Sequence, residues 1–131
     1  MDYKSKITEK LTARLRKVTD KTLIMKLSPN VSDIISIGLR AQEEGADAVS
    51  AINTVVGMSI NSNNGKSNIY TTYGGLSGPA IKPIGLAAVH KLFQKLSVPI
   101  VGIGGIVSSV DVAEYILAGS TTVQVLSLIH I

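Results

Sequence analysis

Glycine recurs in two short runs of this chain, Gly74-Gly75-Leu76-Ser77-Gly78-Pro79 and Gly102-Ile103-Gly104-Gly105-Ile106, each joining an apolar segment to a helix start. Lacking Cβ atoms, such turns let backbone N–H groups close on a phosphate or a flat cofactor. The second run departs from the dinucleotide-binding G-x-G-x-x-G, because position 107 is Val. For either run alone, a tight turn without a ligand is the plain alternative.

Three other residues have types suited to a ligand. Alternation along Thr22–Ser28 places Ile24, Lys26 and Ser28 on one face of a strand and Leu23, Met25 and Leu27 on the other. Lys26 thus interrupts an apolar pattern, either to stabilise negative charge on a bound ring or to reach water from a strand end. Asn53 and Thr54 follow the next strand and offer the amide and hydroxyl that an imide-like ring requires. The same residues also begin ordinary loops. His90, inside a helix, reads as a surface residue and His130 as part of a tail. The nine acidic residues show no metal-ligand spacing, so no metal is expected.

These residues need elements to hold them. Ile7, Leu11, Leu15 and Val18 make an amphipathic helix of residues 5–19, followed by a strand over 22–28. A second helix is expected with Asn30 or Ser32 as its cap, Ile34, Ile35, Gly38 and Ala41 on its apolar face and Gly45 as its stop. A strand over 48–53 comes next, then a connection from Thr54 to Pro83 of a length usually either functional or disordered. A third helix starts at Pro83 with the stripe Val89, Leu92, Phe93 and Leu96, and leads to a strand over 99–103. Ser108 with Asp111 opens a fourth helix, Gly119 closes it, and 121–125 is a short strand. Four helices alternate with four strands, which fits half of a (β/α)₈ barrel or a small doubly wound sheet.

Composition agrees with α/β: 45% of the 131 residues are hydrophobic and only 4% aromatic. The net charge of +4 is uneven, with eight basic and three acidic residues in 1–26 against five and six in 27–131. One tyrosine in the basic segment is too few for an aromatic-interleaved nucleic-acid surface, so a solvated helix face is the better reading. With no cysteine, the residues present offer no disulfide, thiolate metal site or thiol nucleophile. Neither a signal peptide nor a membrane-length apolar run is evident, and a cytoplasmic protein is expected.

The blocks Lys26-Leu27-Ser28-Pro29-Asn30-Val31, Ile52-Asn53-Thr54-Val55-Val56-Gly57-Met58, Gly74 to Pro83 and Gly102 to Ile106 together resemble the catalytic subunit of dihydroorotate dehydrogenase, NAD-linked (type B) form. The resemblance runs from residue 5 to about residue 125. It implies the second half of an FMN-binding TIM barrel over 1–125 and the oxidation of dihydroorotate to orotate in pyrimidine (UMP) biosynthesis. Carried over by motif, Lys26, the Ile52 backbone, Gly78, Gly104 and Gly105 contact FMN, and Asn53 and Thr54 bind the substrate. It further implies an electron-transfer subunit with FAD and an iron–sulfur cluster, and a homo-oligomer when complete.

The family's catalytic base, a Cys or Ser, falls on a loop upstream of the first helix, so no catalytic residue is expected in this chain. The family also continues beyond Val125 with a Gly-Thr pair at the phosphate, where this chain has Leu126 and Ser127. Residues 126–131 accordingly read as a non-native tail. Two alternatives accompany this reading: a domain like that of dihydropyrimidine dehydrogenase, and a non-catalytic half-barrel that binds a phosphate-bearing ligand.

Overall fold

A computed structural model of the chain describes residues 3–126. Helix α1 (Tyr3–Val18) leads into strand β1 (Ile24–Leu27), helix α2 (Ile34–Glu43) and strand β2 (Ala48–Ala51). Strands β3 (Val55–Met58) and β4 (Tyr73–Leu76) follow, then a 3₁₀ turn (Pro79–Ile81) running into helix α3 (Lys82–Phe93). Strand β5 (Ile100–Ile103), helix α4 (Ser109–Leu117) and strand β6 (Thr122–Gln124) complete the described elements.

The main sheet is parallel throughout, in the order β1-β2-β5-β6. A doubly wound sheet reverses its strand order and takes helices on both faces. Here the order follows the chain, and α2, α3 and α4 share one face, so the strands are singly wound. Met25, Leu27, Val49, Ala51 and Ile100 meet Ile37 and Ala41 of α2, Val89 and Leu92 of α3, and Tyr115 of α4 in one apolar cluster. The opposite face carries the row Lys26–Ser50–Val101–Thr122 and, further along, Ile103–Gln124. These residues lie outside that cluster, and the outer members Lys26, Thr122 and Gln124 are exposed. The alternation that isolates Lys26 from Met25 and Leu27 is therefore present in three dimensions.

Several sequence expectations need correction. The stripe on α1 faces outward: Ile7 is 46% exposed, Leu11 48% and Val18 78%, while Ser5 and Thr12 are buried. The reason is that α1 packs mainly along α2, which covers only one flank of it. Arg16 ties this helix down, donating to the carbonyls of Gly45, Thr19 and Lys21 and pairing with Asp47 at 2.9 Å. On α2, neither Asn30 nor Ser32 is the cap. Asp33 takes that place, its Oδ1 accepting from the N–H groups of Ile35 and Ser36. Along α3, Val89 and Leu92 are fully buried but Phe93 is exposed.

The long connection after Thr54 contains structure the glycines concealed. Residues 55–58 and 73–76 pair as an antiparallel hairpin, with Gly57 opposite Gly74 and Val56 opposite Gly75. At Gly75 the absence of a side chain is a packing requirement, since a Cβ there would overlap the side chain of Thr54. The tip of the hairpin is held by its own polar residues: Asn61 accepts from Asn63 N–H, Asn64 from Lys66 N–H, and Ser67 Oγ bonds the Ile69 backbone.

Candidate functional site

In a parallel sheet all C-terminal strand ends fall on one edge, and the loops leaving them converge there. Lys26 comes from β1, Ile52, Asn53 and Thr54 from the exit of β2, Gly104 and Gly105 from the exit of β5, and Gln124 from β6. The return from the hairpin brings Ser77 and Gly78 to the same place. Together with Ile81, Ile103, Ile106 and Leu126 these residues line a cavity of about 50 Å³. Pockets for drug-sized ligands run to about 300 Å³ or more, so the described residues form the floor of a site open on one side. All seven residues singled out from the sequence, Lys26, Ile52, Asn53, Thr54, Gly78, Gly104 and Gly105, line this floor. Ser77 and Gln124 were not foreseen, although Gln124 follows Thr122 at the strand period and lies on the same face as Lys26.

Each part of the floor has a local cause. Ile52 N–H donates to the Ile103 carbonyl at 2.9 Å and Asn53 N–H to the Leu27 carbonyl at 3.0 Å, which extends the sheet beyond β2 and fixes where Asn53 and Thr54 begin. Asn30 then holds the next step. Its Nδ2 donates to the Thr54 carbonyl at 2.8 Å and its Oδ1 accepts from Val56 N–H at 2.9 Å. The sequence offered Asn30 as a helix cap, and its true role depends on a contact with residues more than twenty positions away. Lys26 has neither a hydrogen bond nor an ion pair among the described residues, so its ammonium is free to meet a ligand on the open face.

The turn after β5 is braced from behind. Gly105 has φ +70, and a Cβ placed on it would lie 2.8 Å from the Gly78 carbonyl oxygen and 2.9 Å from Lys82 N. Only glycine lets this turn press against the start of α3. Tyr115 of α4, with no exposed surface, donates its hydroxyl to the Gly104 carbonyl at 2.7 Å. Burial pushes that phenol up to about 12. Asp111 Oδ2 accepts from the N–H groups of Val107 and Ser108 and from the Ser108 hydroxyl, the capping box expected from the sequence. The Lys82 ammonium hydrogen-bonded to it, followed by those backbone donors, holds the Asp111 carboxyl well below the usual carboxylate range.

A compact glycine turn lining the cavity, one unpaired ammonium and an adjacent amide and hydroxyl fit a phosphate-bearing flavin and a small polar ring. The glycine at 105 lets the turn pack closely on Gly78 and Lys82, which keeps both glycine runs at the one site. Among the described residues no group of three or more His, Cys, Asp or Glu is placed to hold a metal, and no helix is long and apolar enough to cross a membrane. The expected tail at 126–131, apart from Leu126, lies outside the described residues.

Comparison with known proteins agrees with these features. The family model for dihydroorotate dehydrogenase matches residues 1–131. The chain is 51% identical over 111 residues to the dihydroorotate dehydrogenase B (NAD(+)) catalytic subunit of Porphyromonas gingivalis, covering 85% of this chain and 36% of that protein. It is 49% identical over 115 residues to the subunit of the same name from Trichlorobacter lovleyi, covering 88% and 38%. The Pyrococcus abyssi subunit of that name is 44% identical over 117 residues, covering 89% and 39%. The chain thus spans well under half the length of these relatives. Since the family model matches this chain over residues 1–131, the chain belongs to the dihydroorotate dehydrogenase family.

Proposed function

We propose that this chain is the part of a flavin-dependent dihydroorotate dehydrogenase that forms one side of the flavin and substrate site. The observation that carries the reading is the convergence of Lys26, Asn53, Thr54, Gly78, Gly104 and Gly105 on one floor at the C-terminal strand ends. Four singly wound parallel strands supply half of the eight that a closed barrel of this family takes. Residues 1–125 are accordingly read as the C-terminal half-barrel and 126–131 as a tail foreign to it.

In this reading FMN is the group bound, and it supplies the oxidising chemistry that turns dihydroorotate into orotate. The N–H groups around Gly78, Gly104 and Gly105 hold its phosphate at the left-handed turn. Lys26 places a positive charge beside the ring, lowering the cost of negative charge developing there. The Ile52 backbone contacts the same ring. Asn53 and Thr54 orient the substrate, whose ring carries both donors and acceptors. The base that removes the substrate proton is assigned to the part of the relatives' length that this chain does not span. Electrons leave through a partner subunit carrying FAD and an iron–sulfur cluster, and the complete protein acts in pyrimidine biosynthesis as a homo-oligomer in the cytoplasm. The phrases "catalytic subunit" and "NAD(+)" in the relatives' names support a further subunit that passes electrons to NAD(+).

The test is Lys26→Met in the full-length protein that contains this chain. Orotate formation should fall by about a hundredfold or more, the size of effect seen when one charge-stabilising group is removed. FMN content should be retained. Unchanged turnover, or a wild-type protein that forms no orotate from dihydroorotate, would overturn the reading.

A further inference from the structure

Lys82 stands at the first position of α3, beside the glycine turn, and its side chain crosses to α4. Its Nζ lies 2.6 Å from Asp111 Oδ1 and 2.6 Å from Glu114 Oε2. The other oxygen of Asp111 accepts from the N–H groups of Val107 and Ser108, at 2.9 and 2.8 Å. One carboxylate therefore grips the backbone leaving the Gly104-Gly105 turn with one oxygen and the residue at the start of α3 with the other. The backbone of the same lysine fills the space beside Gly105, with its N and Cβ each 2.9 Å from where a glycine side chain would begin.

A lysine next to a glycine-rich turn is usually read as a ligand for phosphate, as in the P-loop. Here the ammonium already faces two carboxylates, whose combined charge exceeds its own. Asp111, followed by Glu114, holds it protonated well above the ordinary lysine range. To reach an anion at the turn it would have to leave both partners. We propose that Lys82 and Asp111 are positioning residues for the phosphate turn and not phosphate ligands: their ion pair clamps the turn between α3 and α4, so that its N–H groups stand ready for the anion. This rests on the reading above that the turn takes the FMN phosphate.

The test compares dissociation constants for FMN and for riboflavin, which lacks only the phosphate, by flavin fluorescence on the full-length protein that contains this chain. The wild-type protein should prefer FMN. Lys82→Met and Asp111→Asn should each weaken FMN by about tenfold, the net worth of one misplaced hydrogen bond, with riboflavin unchanged. Because they act through one clamp, the double variant should be no weaker than either single one. If Lys82 were a ligand, Asp111→Asn would free it, and FMN binding would hold or tighten while Lys82→Met alone lost it; that result overturns the proposal. Parallel weakening of both flavins would reduce the pair to a merely structural role and overturn it as well. Lys82→Met leaves the α4 capping box intact and carries the test where Asp111→Asn does not fold. A wild-type protein that binds FMN no better than riboflavin would instead refute the phosphate assignment on which the proposal stands.

Discussion

Tyr115 shows how one side chain reaches the site without entering it. It is completely buried in α4, and its hydroxyl spans to the carbonyls of Gly104 and, at 3.3 Å, Ile103. Tyr115→Phe should cost about 1 kcal/mol in a urea melt, the net worth of a buried hydrogen bond, with the ring packing kept. The same substitution should alter the alkaline limb of stability. The folded phenol ionises near 12, whereas an unfolded one ionises near 10. Its contribution is therefore whole below about pH 10 and is lost as pH rises through the folded value. Melts of the wild type across that range should steepen downward, and those of Tyr115→Phe should lack this component. Identical profiles would mean that the phenol is not protected in solution.

At the scale of elements, the hairpin β3–β4 hangs on few contacts with the rest of the fold, and Asn30 makes two of them. Truncating it leaves Val56 N–H without its side-chain acceptor and releases the Thr54 carbonyl. Asn30→Ala should cost about 1–3 kcal/mol and loosen the hairpin ahead of the parallel sheet. Hydrogen exchange is the measurement: amides of 55–58 and 73–76 should lose protection while those of β2 and β5 keep theirs. Uniform loss over both sheets would show that the hairpin is not a separate unit. The element also explains why the long connection was misread. Gly57, Gly74 and Gly75 are poor strand residues by propensity, and only pairing across the hairpin makes their lack of side chains useful.

For the molecule as a whole, the described sheet ends in two unpaired parallel edges, β1 and β6. The β1 edge carries Ile24, 46% exposed, beside the exposed Lys26, and Ile7, Leu11 and Val18 of the α1 stripe are open as well. Edges and faces of this kind invite association. By itself the chain should sediment as concentration-dependent oligomers, and lysine at the exposed strand position, Ile24→Lys, should shift the distribution toward monomer. A sharp monomer at all concentrations would show that these surfaces are satisfied within the chain. Joined to the remaining length of its relatives, the same surfaces would face the rest of the barrel, and the tendency to associate should be lost.

By itself the sequence determined the α/β rhythm, the alternation that sets Lys26 apart from Met25 and Leu27, the α4 capping box and the two glycine turns that meet at the floor. These rest on short-range rules: period, turn chemistry and motif spacing act within a few residues. Only the tertiary structure decided that Asn30 bonds Thr54 and Val56 instead of capping α2, and that Lys82 faces two carboxylates and not an anion. It alone turned the stripe of α1 outward and joined Gln124 to the site. Each of these depends on partners distant in the chain, and a helical stripe names a face without naming what covers it. Contact between α3 and α4, or between Asn30 and the hairpin, is set by how parallel strands stack side by side, which no local pattern encodes.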